Sequence, residues 1–472
     1  MKKKFTPGLF VLSAICGVLL SYGAVFAQTE PTDNSTAPAA PEAANSRLFV
    51  GYLNGVNEVP TNSSAGTGFG RVALNAAETQ ITVSFYWTGL ETNTAAGHIH
   101  GPALAGVNAP VLFNMAPATG ATSGTKEDVV FNVTAAQVAE LRGGLYYFNI
   151  HTTARGGGEI RAQIRAASAK ADYDGDGKTD YGVVRSGSGG NPAQLAWFIK
   201  NNGGTNDVRR DWGLTTDVLS PADYDGDGKE DIAVWRQSPA PATFYILKSS
   251  DSTFQFARFG ISGDLPITRD YTGDGKADPA VYRAGNPGNF WYMPSSGPFA
   301  GKPVVVLFGA TGDYPVPGDF NGDGKADFCV VRNTGGIATF NIRYGTDAVA
   351  AGPADTTSYF GRFATDSAVQ GDFDGDGKAD IAVTRPEGGQ IVWYVLPSSG
   401  GPFQRGVWGV PPGDFQVPGD YDGDGRTDFA IWRPSGTAGA TAFYVLGSQA
   451  GFLFQQWGNG NTDTPVNFDV LQ

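Results

Sequence analysis

Residues 223–236 read "DYDGDGKEDIAVWR", and two kinds of chemistry meet within them. In the first half Asp223, Asp225, Asp227 and Asp231 take positions 1, 3, 5 and 9 of a short loop, with Gly226 and Gly228 between them. Alternating carboxylates converge on one point, and the glycines permit the reversals that wrap a chain around a hard cation. Ca²⁺ takes about six to eight oxygen ligands, so the backbone carbonyl of Lys229 at position 7 is expected to add one, with the lysine side chain facing water. The second half, "IAVWR", is an apolar run of strand type.

The unit recurs. Acidic loops begin at Asp172, Asp223, Asp270, Asp319, Asp372 and Asp420, with spacings of 51, 47, 49, 53 and 48 residues. The same positions are filled by Asp172, Asp174, Asp176, Lys178 and Asp180; by Asp372, Asp374, Asp376, Lys378 and Asp380; and by Asp420, Asp422, Asp424, Arg426 and Asp428. Two loops carry one carboxylate fewer: Asp270, Thr272, Asp274, Lys276 and Asp278, and Asp319, Asn321, Asp323, Lys325 and Asp327. Thr272 and Asn321 keep an oxygen but lose a charge, so weaker cation binding is expected there. A short strand after each loop ends in Arg185, Arg236, Arg283, Arg332, Arg385 or Arg433. Aromatic strands such as "TFYILKSS" and "IVWYVLPSS" follow, then strands ending in an aromatic and glycine, as in "FARFG" and "FQQWG". A period near 50 with about four short strands per unit predicts propeller blades. Six units predict six blades. The tail "TDTPVNFDV" opens a further phrase without an acidic loop; it is expected to supply a closing strand, the alternative being a degenerate seventh blade.

An EF-hand or dockerin shares the opening of this loop, but those loops need a bidentate glutamate at position 12 and flanking helices. Position 12 here is Val183, Val234, Val281, Val330, Val383 or Ile431, and the flanks are β-like. The pattern Asp-x-Asp-Gly-Asp-Gly-x-x-Asp before an apolar strand resembles the FG-GAP/VCBS repeats of integrin-α-like β-propellers, over about 300 residues. The resemblance implies one Ca²⁺ per blade, about six in all, stapling the loop between the first two strands, and a role in extracellular adhesion or recognition. The repeated arginines and aromatics have two readings. Either they face a sugar ligand, or each arginine pairs with a loop aspartate while the aromatics fill the space between blades.

Before the repeats, residues 47–166 show alternating strand patterns, "RLFVGYL", "TQITVSFYW", "GHIHG" and "LYYFNIHT" among them, and one helical stretch, "TAAQVAELR", where Thr134 and Gln137 have capping-box spacing. "NGVNEVP" at 54–60, "HIHGPA" at 98–103 and "YYFNIHTTARGGGEIRAQI" at 146–164 resemble the chordin-type CHRD domain. That resemblance implies a β-sandwich-like extracellular module. The chain's three histidines, His98, His100 and His151, all fall here. On a strand, H-x-H puts both imidazoles on one face, and a neighbouring strand could bring His151 alongside to form a site suited to copper or zinc. The other reading is that they hydrogen-bond within the sheet. The H-x-H strand is similar to that of copper/zinc superoxide dismutases, whose remaining histidines are missing.

The chain begins "MKKKFTPGLFVLSAICGVLLSYGAVFAQ": three lysines, an apolar run and a small-residue Val25-Phe26-Ala27 site, the pattern of a secretory signal peptide over 1–27. Residues 28–46, rich in Pro, Ala, Ser and Thr, read as a disordered linker. The net charge of −13 becomes more negative once the three leader lysines are lost, which disfavours nucleic acid and anionic membrane as partners. Cys16 leaves with the leader and Cys329 remains alone, so no internal disulfide is expected. No nucleophilic triad or G-x-S-x-G elbow is identifiable, and no catalytic residues are assigned. The expectation is an exported all-β protein of bacterial type, monomeric and without a membrane span after leader cleavage. A CHRD module over 47–166 precedes a calcium-binding propeller over 167–472, and the ligand is an extracellular protein or glycan. A lectin or a polysaccharide-acting enzyme is the alternative.

Overall fold

Burial along each repeat sets the order of its strands. Ile232–Arg236 buries four consecutive residues, as a strand covered on both faces must, whereas Phe254–Arg258 buries only Ala257 and lies at an outer edge. The computed structural model describes residues 48–467 apart from 76, 105, 118–119, 143, 167–169, 188–190, 204–206, 298, 323, 346–351 and 438–439. The expected leader and linker lie outside the described residues.

Residues from 172 onward form six four-stranded antiparallel sheets, the blades of a six-bladed β-propeller. Blade 2 is typical: Val218–Leu219, Ile232–Arg236, Thr243–Leu247 and Phe254–Arg258 pair in sequence order from the axis outward. Blade 1 differs. Its strands Tyr181–Ser186, Gln194–Lys200 and Val208–Leu214 are completed on the inner side by Asp463–Pro465. The tail therefore closes the ring, as its sequence suggested, and no seventh blade forms.

Aromatic–glycine phrases bind blade to blade. The Trp212 indole, at the edge of blade 1, donates to the Tyr245 carbonyl of blade 2 at 3.0 Å, and Trp408 of blade 5 reaches Tyr444 of blade 6 in the same way. Trp457 spans the seam, donating from blade 6 to the Phe198 carbonyl of blade 1 at 3.2 Å. Gly213 follows Trp212 at φ +86°, and a Cβ there would come within 2.7 Å of Val234. Inside the blades Trp197, Trp235, Trp393 and Trp432 are fully buried, each worth about 3–5 kcal/mol against truncation to alanine.

The first domain is one continuous sheet that curls around a single core. Its strands are β1 (Leu48–Asn54), β2 (Thr67–Leu74), β3 (Gln80–Thr88), β4 (Thr94–His100), β5 (Val111–Asn114), β6 (Gly124–Asn132), β7 (Tyr147–Thr152), β8 (Ile160–Gln163) and β9 (Arg165–Ala166), with one helix α1 (Ala135–Arg142). They pair in the order β5-β4-β7-β8-β1-β2-β3-β6, with β9 also on β1. The sandwich-like character expected from sequence is thus met by a single curled nine-stranded sheet. Its inner face carries Phe49, Val72, Val83, Phe85, Ile99, Phe148 and Ile160. Helix α1 adds Val138 and Leu141 to that core. It begins with the expected reciprocal cap: Gln137 Oε1 accepts from the Thr134 amide at 2.9 Å, and the Gln137 amide donates to Thr134 Oγ1 at 3.3 Å.

Strand β2 also touches the propeller. Arg71 Nη2 donates to the Gly423 carbonyl at 2.8 Å, and Phe69 lies so close to Gly377 that a Cβ there would come within 2.5 Å of its ring. Gly423 and Gly377 belong to the sixth and fifth acidic loops, so β2 rests on those loops.

Candidate metal sites

Each acidic loop folds around its own first carboxylate. Asp223 Oδ1 accepts from the Gly226 amide at 2.6 Å and Oδ2 from the Gly228 amide at 2.9 Å. The two glycines sit at φ +79° and +86°, the left-handed region that favours glycine. Asp231 at position 9 ties the loop down at both ends, accepting from the Tyr224 amide at 2.9 Å and the Ser249 amide at 2.7 Å. The other loops repeat this geometry; in the first, Asp172 accepts from Gly175 and Gly177, and Asp180 from Tyr173 and Asn202. Carboxylates at positions 1, 3 and 9 converge in four loops. In Asp172/Asp174/Asp180, Asp223/Asp225/Asp231, Asp372/Asp374/Asp380 and Asp420/Asp422/Asp428, one oxygen per residue lies within 4.8 Å of one from each of the others.

Position 5 falls outside these groups. Its carboxylates are held from the next hairpin turn by serine hydroxyls, Ser249 on Asp227 at 2.9 Å, Ser295 on Asp274 at 2.9 Å, Ser398 on Asp376 at 2.8 Å and Ser448 on Asp424 at 2.6 Å. These serines were not singled out from sequence, although "SS" recurs after the third strand in "KSS" and "PSS". The loops of Thr272 and Asn321 lack the three-carboxylate convergence among the described residues; Thr272 Oγ1 instead bonds Asp270 at 3.3 Å and Ser295 at 3.2 Å. Asp323 lies outside the described residues.

The loops join into a ring. The amide at position 8 of each donates to the position-1 carbonyl of the preceding loop. These bonds run Glu230 to Asp172, Ala277 to Asp223, Ala326 to Asp270, Ala379 to Asp319, Thr427 to Asp372 and Thr179 back to Asp420, all at 2.6–2.7 Å. The basic residue at position 7 leans the same way. Lys178, Lys229, Lys276, Lys325, Lys378 and Arg426 lie over the position-4 glycine of the preceding loop, so a Cβ on Gly175 would come within 3.1 Å of Lys229. The expectation that this side chain faces water fails at Lys229, which is only 2% exposed. Its stem is covered by the adjacent loop, and its charge acts on Asp227 of its own loop.

Burial is the main reason the carboxyls at positions 1 and 9 are raised above the ordinary carboxylate range. It pushes Asp180 and Asp223 up to about 8, and Asp231, Asp270, Asp420 and Asp428 up to about 7, with neighbouring carboxylates adding to the effect. Asp172 and Asp372 are also raised well above the ordinary value by the same causes.

The strand-ending arginines pair with aspartates, but not with those of the loops. Arg236 makes a two-bonded pair with Asp217 at 2.8 Å, and Arg283–Asp264, Arg332–Asp313, Arg385–Asp366 and Arg433–Asp414 repeat it. Arg185 takes Asp463 from the closing strand at 2.6 Å. Each aspartate also accepts an amide from the aromatic–glycine corner before it, such as Leu214 on Asp217 and Asn459 on Asp463. The pair thereby fixes where each blade begins, and Arg236, Arg385 and Arg433 stack on Tyr245, Tyr394 and Tyr444.

In the first domain the sheet brings all three histidines together. His98 and His100 lie on β4, and β7 pairs beside it with His98 opposite Asn149 and His100 opposite Tyr147. His151 follows Asn149 on the same face. Ring centroids are 5.0 Å apart for His98 and His151, 5.4 Å for His98 and His100, and 5.9 Å for His100 and His151. Burial, then the charges of His151 and His100, lower His98 to about 4; burial also lowers His100 and His151.

Comparison with known proteins agrees with both halves. The CHRD domain family matches residues 49–164, and the FG-GAP-like repeat family matches residues 270–330 and 372–431. No curated protein matches the chain. Among solved structures, the chain is similar to a lectin of Agrocybe aegerita that recognises non-reducing terminal N-acetylglucosamine. The identity is 14%, covering 65% of this chain and 86% of that one, at a TM-score of 0.36. Blades 1 and 2, outside the matched stretches, repeat the amide bonds that the matched loops make to their carboxylates at positions 1 and 9. The chain carries a CHRD domain followed, in that order, by FG-GAP-like repeats that build a six-bladed propeller.

Proposed function

We propose that this is an exported recognition or adhesion protein whose propeller is stapled by Ca²⁺ in its acidic loops. The observation that carries this reading is the convergence, in four loops, of buried and half-buried carboxylates at positions 1, 3 and 9. Such a donor set suits a hard cation, and the position-7 carbonyl can complete it. The ion would replace the protons that burial imposes on Asp180, Asp223 and their equivalents. Its role is structural: it holds the loop ring, and with it the blade corners, in one arrangement.

Ligand recognition then belongs to the surfaces so held. Phe254 and Phe256 on the outer strand of blade 2 are each 53% exposed, and Phe452 and Phe454 on blade 6 are 60% and 53% exposed. Paired rings of this kind suit an apolar protein surface. They also favour a second reading, a glycan, since aromatic faces stack on sugar rings. Calorimetric titration of the metal-free full chain tests the calcium reading: four tighter and two weaker sites are expected, and the absence of saturable calcium binding would falsify it. Binding to immobilised matrix proteins in calcium, with and without competing sugars, separates the two ligand classes. Loss of binding in Phe254→Ser/Phe256→Ser would assign the surface.

A further inference from the structure

We propose that His98, His100 and His151 form a transition-metal site of the copper/zinc class, built by the CHRD domain and chemically independent of the calcium loops. The argument rests on lone pairs. One ring nitrogen of each histidine lies within 4.8 Å of one from each of the others. His98 Nδ1, His100 Nε2 and His151 Nε2 are buried and have no hydrogen-bond partner in the protein. A buried polar atom left unsatisfied costs about 1–3 kcal/mol. Three rings that draw their nitrogens together, each with a buried nitrogen left without a partner, are explained by a shared electron-pair acceptor.

On His100 and His151 the other ring nitrogen is already committed. His100 Nδ1 is 2.9 Å from the Ala109 carbonyl, and His151 Nδ1 is 3.0 Å from the Gly156 carbonyl. A carbonyl can only accept, so in each neutral ring Nδ1 carries the proton and Nε2 presents its lone pair to the cluster. A backbone carbonyl behind a ligating imidazole fixes tautomer and ring orientation and raises ligand basicity. Tetrahedral bonds of about 2.05 Å require ligand nitrogens about 3.4 Å apart, which short side-chain rotations supply. Three neutral imidazoles suit copper or zinc and not a hard cation. His98 and His151 are only partly buried, so an ion can enter, and three protein ligands leave a position for water or an exogenous ligand.

The motifs of this domain converge as supports around the cluster. His100 stacks on Tyr147 with centroids 5.0 Å apart and planes 6° apart, and the Arg161 guanidinium lies 3.5 Å from the centroid of the same Tyr147 ring. Arg161 donates to Asn108 Oδ1 at 2.9 Å and the Val107 carbonyl at 2.8 Å. It thereby pins the loop whose Ala109 orients His100. Glu159, fully buried, accepts from Ser64 Oγ and Thr152 Oγ1, each at 2.6 Å, holding the turn whose Gly156 orients His151. Thus "HIHGPA" supplies two ligands, "YYFNIHT" the third and "GEIR" the braces. The strand alternation that sends Ile99 and Phe148 into the core sends these residues to the opposite face.

The test uses the full chain in saturating calcium, which occupies the carboxylate loops whatever their own affinity. Metal-free protein is given Cu²⁺ or Zn²⁺ against a competing chelator, desalted, and the retained metal counted. One equivalent is expected, and the Cu²⁺ adduct should show hyperfine coupling to three imidazole nitrogens. His98→Gln and His151→Gln should each weaken binding by at least about 100-fold, because even second-layer changes cost about 10–100-fold. Melting and circular dichroism in calcium should stay at wild-type values. Failure of the wild-type protein to retain an equivalent, an oxygen-dominated spectrum, or variants that bind as tightly as wild type would each overturn the proposal. Should the variants not fold, the wild-type stoichiometry and spectrum decide the matter alone.

Discussion

The acidic loops and the histidine cluster handle unpaired electron density in opposite ways. In a loop, carboxylate oxygens already meet donors: Asp223 takes two glycine amides, Asp231 two more amides, and Asp227 a serine hydroxyl. A neighbouring lysine stem lies over the loop's position-4 glycine. The histidines do the reverse, with three nitrogens turned inward and no partner. The loops are also collective, each bonded to the next around a ring, whereas the histidine site is complete within two adjacent strands. Metal should therefore tighten a fold that the propeller already has, and should act on the cluster locally.

The largest effect that can break this contrast is removal of calcium. Each tight site at about 100-fold saturation contributes about 2.7 kcal/mol, so chelation should lower the propeller Tm by about 10 °C or more, read by calorimetry. A Tm that does not move would end the stapling reading. Next comes the seam. Asp463→Ala leaves Arg185 without its carboxylate at the point where blade 1 closes; a loss of about 3 kcal/mol is expected for a partly buried pair. Calcium binding at the first and sixth loops should weaken with it. Copper or zinc retention should not change, and a parallel loss there would show that the two regions are coupled.

A smaller effect is expected from pH. In the metal-free protein, Asp278 sits at about 6, Asp231 and Asp420 at about 7 and Asp223 at about 8, all above the ordinary carboxylate value near 4. The folded state then holds protons that the unfolded chain releases. The stability this contributes is complete below about pH 4 and is lost as pH rises through about 6 to 8. Metal-free protein should melt higher at pH 5.5 than at pH 8, and the gain from added calcium should be larger at pH 8. The opposite slope would show these carboxyls to be ionised without metal. Smallest of all, Thr272→Asp and Asn321→Asp restore the missing charge and should raise affinity in the third and fourth loops about 3–10-fold. In a titration the two weaker sites would merge with the other four.

Much of the propeller was readable because its determinants are local. Loop spacing set the blade count, the apolar position 12 excluded an EF-hand, and Thr134 with Gln137 announced the helix start. What escaped depends on neighbours in space. Lys229 is covered by a loop that begins 57 residues earlier in the chain, as the bond from the adjacent Glu230 to Asp172 shows (residues 229 and 172), and no pattern within its own repeat announces that. The arginine partners had a signal that went unread. Asp217–Arg236, Asp264–Arg283, Asp313–Arg332, Asp366–Arg385 and Asp414–Arg433 are each 19 residues apart, although the repeats themselves vary in length. Strand β5 was missed because it is only four residues long. For the histidines, the H-x-H pattern showed that they share a face, but the carbonyls of Ala109 and Gly156 that settle their tautomers come from loops.

The ion pair between Arg185 and Asp463 joins residues 278 positions apart. The first blade to leave the ribosome is consequently the last to acquire its full complement of strands, and until then the chain is an open crescent with two unmatched edges. Contacts of such long sequence separation are slow to form, and an unpaired strand edge invites pairing with another chain. A protease that clipped the chain just before Asp463 would detach the closing strand and return the molecule to that crescent. The latch is short, and the circle depends on it.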